Sequence, residues 1–293
     1  TIVEIDNAMK WGYNFEMGPF ETWDAIGVKE SVAKMEADGM AVPQKVKDML
    51  AAGIDTFYKT EEGKRFFYDF DTKAYKDVVV SEANISLAAL KGSGKLVKRC
   101  ASASLVDLGD GVFCCEFHTK MNALNAEIIQ FMDEAMDYVD QNGVGLVIGN
   151  QAGGMPGAFS AGADLNQVSE AAKTDRLGEV EAMIKALHAV VQKETYCPFP
   201  VVAAPYGLAL GGGCEVCLAA DRIVAHAELY MGLVEIGVGL LPGGGGCKNL
   251  WKKAIAGIPA HVKDADLSKF FIPTFMNIAT AKVSMSAAEA RAN

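Results

Sequence analysis

The sequence is poor in proline, histidine and positive charge, and each shortage removes a class of protein. Only nine prolines and four histidines occur among 293 residues. The long uncharged run Thr195 to Cys214 is broken by Pro198, Pro200 and Pro205 and by glycines, so it does not read as a membrane-crossing helix. Neither G-x-G-x-x-G nor G-x-x-x-x-G-K-[ST] is present, which weighs against the common nucleotide loops. Basic side chains number 27 against 37 acidic ones, for a net charge of −10. Residues 1–99 carry 14 basic and 16 acidic groups, and residues 100–293 carry 13 and 21. So acidic a chain lacks the continuous basic surface that a nucleic-acid backbone demands, and no nucleic-acid partner is expected. The opening residues TIVEIDNAMKW show no basic run followed by an apolar stretch, so no secretory signal is legible and a cytoplasmic location is expected.

What is present points to a folded enzyme-sized chain. Hydrophobic residues make up 51%, enough for a sizeable core, and 30 glycines favour tight backbone turns. Seven cysteines, an odd number, are scattered, and only Cys214 and Cys217 form a C-x-x-C. With no second pair and no histidine at ligand spacing, buried reduced thiols are expected and no metal site. The length is large for one ordinary domain and small for two, which suggests one large domain with an appendage.

Residues 1–90 read as mostly helical and rich in aromatics. Gly18-Pro19 launches a helix presenting Phe20, Trp23 and Ile26 and ending at Gly27; further helices follow over Lys29–Ala37 and Gln44–Ala52. TFYKTEEGKRFFYDF reads as a β-hairpin around Glu62-Gly63, and a short helix is expected over Glu82–Leu90. Residues 91–99, containing Lys91-Gly92-Ser93-Gly94-Lys95, are the linker expected between the two domains. From residue 100 to 293 the pattern becomes α/β. Two strands flank Asp110-Gly111, and Asn125–Asp140 is an amphipathic helix with Ile128, Ile129, Met132 and Met136 on one side. VGLVIGN and PVVAA are buried strands on either side of a helix over Glu179–Val191, and DRIVA gives one more.

Three segments carry candidate chemistry. They are Ala158-Phe159-Ser160-Ala161-Gly162-Ala163-Asp164-Leu165, then Gly211-Gly212-Gly213-Cys214-Glu215, then Gly232-Leu233-Val234-Glu235 with Pro242-Gly243-Gly244-Gly245-Gly246 beyond it. Glycines at a helix start let backbone N–H groups approach a ligand oxygen, where the helix dipole favours negative charge. Two such sites make an oxyanion hole, and two glutamates make an acid/base pair. From the residues alone, phosphate binding and simple helix–strand packing with solvent-facing glutamates stay open.

FSAGADL, PYGLALGGGCEVCLAADRIVA and MGLVEIGVGLLPGGGG together resemble the crotonase superfamily in order, spacing and content, and most of all its enoyl-CoA hydratase branch. The resemblance runs from about Ala101 onward. It implies a crotonase-like ββα superhelix, with two roughly perpendicular sheets wrapped by helices, that binds acyl-CoA thioesters. It implies an oxyanion hole from the N–H groups of Ala163 and Gly212, catalytic glutamates at Glu215 and Glu235, and Gly243 near the reacting water. Lys120, Met121, Ala161, Asp164 and Leu165 are expected around the CoA part of the substrate. Thr119 stands where the family commonly has proline, and Asn166 where a lysine often contacts phosphate. Hydration of a 2-enoyl thioester needs no metal or redox cofactor. Retention of both glutamates favours a hydratase over a Δ3,Δ2-enoyl-CoA isomerase, which typically keeps only the equivalent of Glu235; a non-catalytic acyl-CoA-binding or assembly module is the alternative from another class.

Met17-Gly18-Pro19-Phe20-Glu21-Thr22-Trp23-Asp24-Ala25-Ile26-Gly27 resembles a signature of the C-terminal helical domain of 3-hydroxyacyl-CoA dehydrogenases. This implies a small, mainly α-helical N-terminal domain, with Asp24 capping or pairing beside a packing core of Phe20, Trp23 and Ile26. Its NAD-binding domain is expected upstream, so NAD is not expected to serve this chain. The ending SAAEARAN resembles the element at which crotonases enter their final helices. The chain is therefore expected to be a segment of a bifunctional fatty-acid β-oxidation protein, with activity and homo-oligomerisation weakened by the lack of those helices.

Overall fold

The computed structural model describes every residue except 14, 63, 80–83, 152–156 and 260. It divides into two compact units, Thr1–Gly94 and Lys95–Asn293.

In the first unit, helices α1 (Ile2–Tyr13), α2 (Pro19–Ile26), α3 (Val28–Ala37) and α4 (Gln44–Ala51) precede β1 (Tyr58–Glu61), β2 (Lys64–Asp69) and β3 (Ala74–Asp77), with α5 (Leu87–Gly92) after them. The expected hairpin exists as β1 and β2, paired antiparallel with Glu61 opposite Lys64, and β3 extends it to three strands. Its turn residue Gly63 and the first two residues of the helix expected from Glu82 lie outside the described residues. The core gathers Ile2, Val28, Val32, Val46, Met49, Phe57, Phe67 and Tyr68. The Phe57 ring lies edge-on to Phe20 at 5.0 Å and tilted against Trp23 at 5.3 Å. Ile26 departs from the expected packing face. It sits at the last position of a two-turn helix and is 66% exposed.

Two carboxylates tie this unit together. Asp24 accepts the N–H groups of Phe57 and Tyr58 at 2.7 and 2.8 Å, the pairing role expected of it. Asp6, which no local pattern marked, is buried and accepts the Phe20 N–H at 2.8 Å and the Tyr58 hydroxyl at 2.6 Å. Gly18 is required there by proximity, since a Cβ on it would lie 2.3 Å from the Asp6 Cβ.

The second unit opens with β4 (Leu96–Arg99), β5 (Ala103–Gly109), β6 (Val112–Phe117), α6 (Ala126–Asn142) and β7 (Gly145–Ile148). Then come β8 (Ala158–Ser160), α7 (Leu165–Lys173), α8 (Leu177–Tyr196), β9 (Val201–Ala203), β10 (Gly207–Leu210) and α9 (Gly212–Ala219). β11 (Arg222–Ile223), β12 (Leu229–Gly232), α10 (Gly246–Ile255), α11 (Ser268–Ala279) and α12 (Ala287–Ala292) complete it. A six-stranded sheet runs β11-β9-β7-β6-β5-β4, antiparallel through β4, β5 and β6 and parallel from β6 to β11. A second sheet of three parallel strands runs β12-β10-β8. The architecture is the α/β two-sheet arrangement expected from the sequence.

Residues 91–99 do not form a free linker. Residues 91 and 92 close α5, and 96–99 are the edge strand β4, paired with β5 and sending Val97 against the core. A glycine pair at 92 and 94 masked the short strand that follows. Helix α6 starts where Asn125 accepts the Ile128 N–H at 2.8 Å, and it buries Ile128, Ile129, Met132 and Met136 as its periodicity required. No disulfide links the cysteines; Cys214 and Cys217 lie buried in α9, where desolvation raises both thiols and keeps them protonated. Among the described residues, no helix is long and apolar enough to cross a membrane, and no group of three His, Cys, Asp or Glu residues could hold a metal ion.

Candidate functional site

The three parallel strands of the small sheet position everything that follows. Chain leaving the C-terminal end of β8 supplies Ala161, Gly162 and Ala163. Chain leaving β10 supplies Gly211 and Gly212, and chain leaving β12 supplies Val234 and Glu235. Parallel neighbours put these three exits on one edge, the carboxyl edge, where open parallel sheets commonly place ligands. The exits meet on a cavity of about 520 Å³ that Glu215, Gly243 and Leu165 also line.

Backbone meets backbone between the first two exits. The Leu124 N–H bonds to the Gly162 carbonyl at 2.8 Å and the Asp164 N–H to the Leu124 carbonyl at 3.3 Å, which pins the β8 exit. Between these two bonds the Ala163 N–H has no partner among the described residues. A Cβ on Gly162 would lie 3.1 Å from the Gly212 nitrogen, and one on Gly212 would lie 3.7 Å from the Ala163 nitrogen. Gly211 turns with φ +53 and ψ −123, a conformation that suits only glycine, and delivers Gly212 as the first residue of α9. The N–H of a first helical residue has no partner within its helix. Two donors from different strands therefore sit side by side at the cavity wall. Gly213 lets α9 come this close, since a Cβ there would stand 2.6 Å from the Ser160 carbonyl oxygen.

The two glutamates reach the same cavity from different elements. Glu215, one turn into α9, is 2% exposed and accepts the Gly246 N–H at 2.8 Å on Oε1. Burial pushes its carboxyl up to about 7; the Gly246 N–H opposes that shift and the charge of Glu235 adds to it. Glu235 opens the short 3₁₀ turn Glu235–Val238 and is raised by burial as well. Its Oε2 is buried without a hydrogen-bond partner among the described residues, which leaves an acceptor for a donor that enters the cavity. The rest of the wall is aliphatic, with Val180, Met183, Ile184 and Leu187 of α8 facing Val238, Leu240 and Leu241.

The structure thus brings Ala161, Ala163, Leu165, Gly212, Glu215, Glu235 and Gly243 to one cavity. Lys120, Met121 and Asp164 do not line it. Lys120 is exposed on the 3₁₀ turn Lys120–Asn122, and the Met121 carbonyl accepts the Ala161 N–H at 3.1 Å. The Asp164 carboxylate caps α7 by accepting the Asn166 N–H at 3.0 Å. Gly244 and Gly246 stood in a candidate glycine run without a role of their own, and they press on Glu215. A Cβ on Gly244 would lie 2.6 Å from its Oε2, and one on Gly246 would lie 2.9 Å from its Oε1. The α8 wall lies within the helix expected over Glu179–Val191, of which positions 180, 183, 184 and 187 were not singled out.

Residues 109–261 match the family described as enoyl-CoA hydratase/isomerase. The chain is 44% identical over 287 residues, 98% of its length, to the "Probable 3-hydroxyacyl-CoA dehydrogenase" of Bacillus subtilis (strain 168), and spans 35% of that relative. It is 35% identical over 136 residues to the fatty acid oxidation complex subunit alpha of Aliivibrio fischeri, covering 45% of this chain and 19% of that one. The chain therefore spans about a third of the first curated relative and about a fifth of the second. Among solved structures, the enoyl-CoA hydratase from Bacillus anthracis superposes with a TM-score of 0.53 at 24% identity, over 65% of this chain and 67% of that one. At that identity the likeness speaks for the fold alone.

Proposed function

The chain belongs to the enoyl-CoA hydratase/isomerase family, and from that premise we propose that it adds water across the double bond of a trans-2-enoyl-CoA to give a 3-hydroxyacyl-CoA. The observation that carries this reading is the pair of carboxyls, Glu215 buried and Glu235 half-buried, on the same cavity as the N–H groups of Ala163 and Gly212. The family is generally free of cofactors, and the proposed chemistry needs none.

The thioester oxygen gains negative charge as the transition state becomes enolate-like. Two preorganised N–H donors, Ala163 and Gly212, act where that charge appears, each worth about 3 kcal/mol. Glu235 takes the proton of the attacking water through its unpartnered oxygen. Glu215, with its pKa near neutrality, holds that water and gives its own proton to C2; the proton taken by Glu235 then passes to Glu215 through the next bound water, which resets the pair. Gly243 borders the same space and keeps it open for the water. Lys120, Met121, Ala161, Asp164 and Leu165 belong, in this reading, to the rim that receives the CoA portion. The first unit reads as the C-terminal helical domain of a 3-hydroxyacyl-CoA dehydrogenase, which makes the chain the hydratase portion of a bifunctional fatty-acid β-oxidation protein.

Loss of the conjugated enoyl-thioester absorbance of crotonyl-CoA tests the reading. The protein is expected to hydrate crotonyl-CoA, and Glu235→Gln to lose at least about a hundredfold in kcat. A protein that binds the thioester without hydrating it, indistinguishably from the variant, would instead be a binding module. Conversion of a 3-enoyl-CoA that survives Glu215→Gln would identify an isomerase.

A further inference from the structure

Beside the apolar side of the main cavity lies a second space. A groove of about 410 Å³ runs between α6 and α8 and is lined by Ala126, Gln130, Asp133, Ala186, Ala189 and Val190. Among the described residues, Ile129 and Met183 belong to the walls of both spaces and so stand between them. The spacing explains the alignment. Residues 126, 129, 130 and 133 share one face of α6, and residues 183, 186, 189 and 190 share one face of α8.

Three features define what could occupy this path. Among the described residues, Glu215 and Glu235 are the only ionisable side chains lining the main cavity, and its α8 wall offers nothing to a polar tail. In the groove, Asp133 is already held by Lys193 at 2.7 Å, and the Gln130 amide donates to Glu134 at 2.8 Å, so neither demands a polar guest. The remaining groove residues are small or aliphatic, and the partition contains methionine, an unbranched side chain that changes rotamer at low cost. Small alanines on facing helices leave room for a chain of methylenes.

We infer that the Ile129–Met183 partition opens to pass an acyl tail from the main cavity into the α6–α8 groove, making long saturated-tailed acyl-CoA thioesters the preferred substrate class. This rests on the acyl-CoA reading above and adds to it the tail's route and the residues that set its length. A short acyl group ends before the partition and is indifferent to the groove.

Binding of the non-hydratable thioesters butanoyl-CoA and dodecanoyl-CoA, followed by titration calorimetry, tests the route without depending on turnover. The wild-type protein should bind dodecanoyl-CoA more tightly. Ala189 is exposed and lies in the groove away from the cavity, so Ala189→Trp can fill the groove without disturbing the core. It should cut the dodecanoyl-to-butanoyl affinity ratio by on the order of tenfold, the equivalent of about two unburied methylenes. Met183→Trp should do the same by closing the partition, and Met183→Ala should preserve the ratio. An unchanged ratio in Ala189→Trp, or equal wild-type affinity for both thioesters, would overturn the inference. A protein that shows the expected ratio yet hydrates neither crotonyl-CoA nor trans-2-dodecenoyl-CoA would remove the hydratase reading and leave the route standing.

Discussion

The carboxylate of Glu215 is held at 2.8 Å by the backbone N–H of Gly246, a residue 31 positions later in the chain. The buried acid is thus aimed by another helix's first residue, not by its own element. Gly246 can do this only without a side chain, because a Cβ would meet Leu233 at 2.7 Å and Glu215 at 2.9 Å. Gly246→Ala should therefore displace the carboxyl by a fraction of an ångström to an ångström. Misplacement of that size costs roughly a hundredfold in turnover. Steady-state hydration of crotonyl-CoA, with circular dichroism to verify the fold, measures it.

The two carboxyls also define a pH profile. Hydration as proposed needs Glu235 ionised and Glu215 protonated. Rates should fall on the alkaline side as Glu215 loses its proton near pH 7, and on the acid side as the raised Glu235 gains one. The kcat profile should be bell-shaped, and Glu215→Gln should abolish its alkaline limb while lowering its height. An alkaline limb that survives in Glu215→Gln would assign that titration to another group.

A third carboxyl, far from this chemistry in role, governs stability. Glu194 is 1% exposed, and neither of its oxygens has a hydrogen-bond partner among the described residues. Burial, with Asp221 adding and Lys253 opposing, holds its pKa well above the ordinary 4.5. Below that ordinary value both folded and unfolded chains carry the proton, and no penalty arises. Above it the unfolded chain ionises while the folded one does not, so stability falls as pH rises until the folded pKa is passed. Glu194→Gln should remove this slope, gaining on wild type by up to about 1.4 kcal/mol per pH unit across that window. Urea denaturation at several pH values reads the difference directly.

In the first unit, Asp24 satisfies two successive N–H groups at the entry to β1. Asp24→Ala leaves both without their acceptor and should cost about 2–4 kcal/mol in that unit. Tryptophan fluorescence during denaturation follows it through Trp23, which packs on Phe57 beside the lost bonds.

How far these features were legible in the sequence depends on whether they are local. Helix α6 was legible because Asn125 caps it and its apolar residues recur at 3.6-residue spacing, both properties of adjacent residues. The glycine runs at 211–213 and 243–246 marked where backbone must pass closely, and three linked motifs placed Ala163, Gly212, Glu215 and Glu235 together. What approaches those glycines was not legible, because the contact of Gly246 with Glu215 belongs to the tertiary fold. Asp6 escaped notice for the same reason, its partners being 14 and 52 residues away. Strand β8 has only three residues, Ala158–Ser160, too few to show an alternation. Edge strand β4 was hidden by the glycines before it, although Leu96–Arg99 pairs fully enough to join the large sheet.

The exits of β8, β10 and β12 on one sheet edge carry a genetic consequence. The proposed charge-stabilising groups are main-chain N–H groups, which no codon change at Ala163 or Gly212 deletes short of proline. Alanine scanning would register Glu215 and Glu235 directly, whereas at Gly212 it would report only the crowding of a Cβ 3.1 Å from Leu124 and not the loss of the N–H. Variation that abolishes them must work by moving strands. A slip of one residue in β10 would shift Gly212 by about 3.3 Å, farther than a hydrogen bond is long. Inactivating changes in this half of the site should therefore map to the strand ladder and its packing, as at Gly207, where a Cβ would meet the Gly157 carbonyl at 1.9 Å.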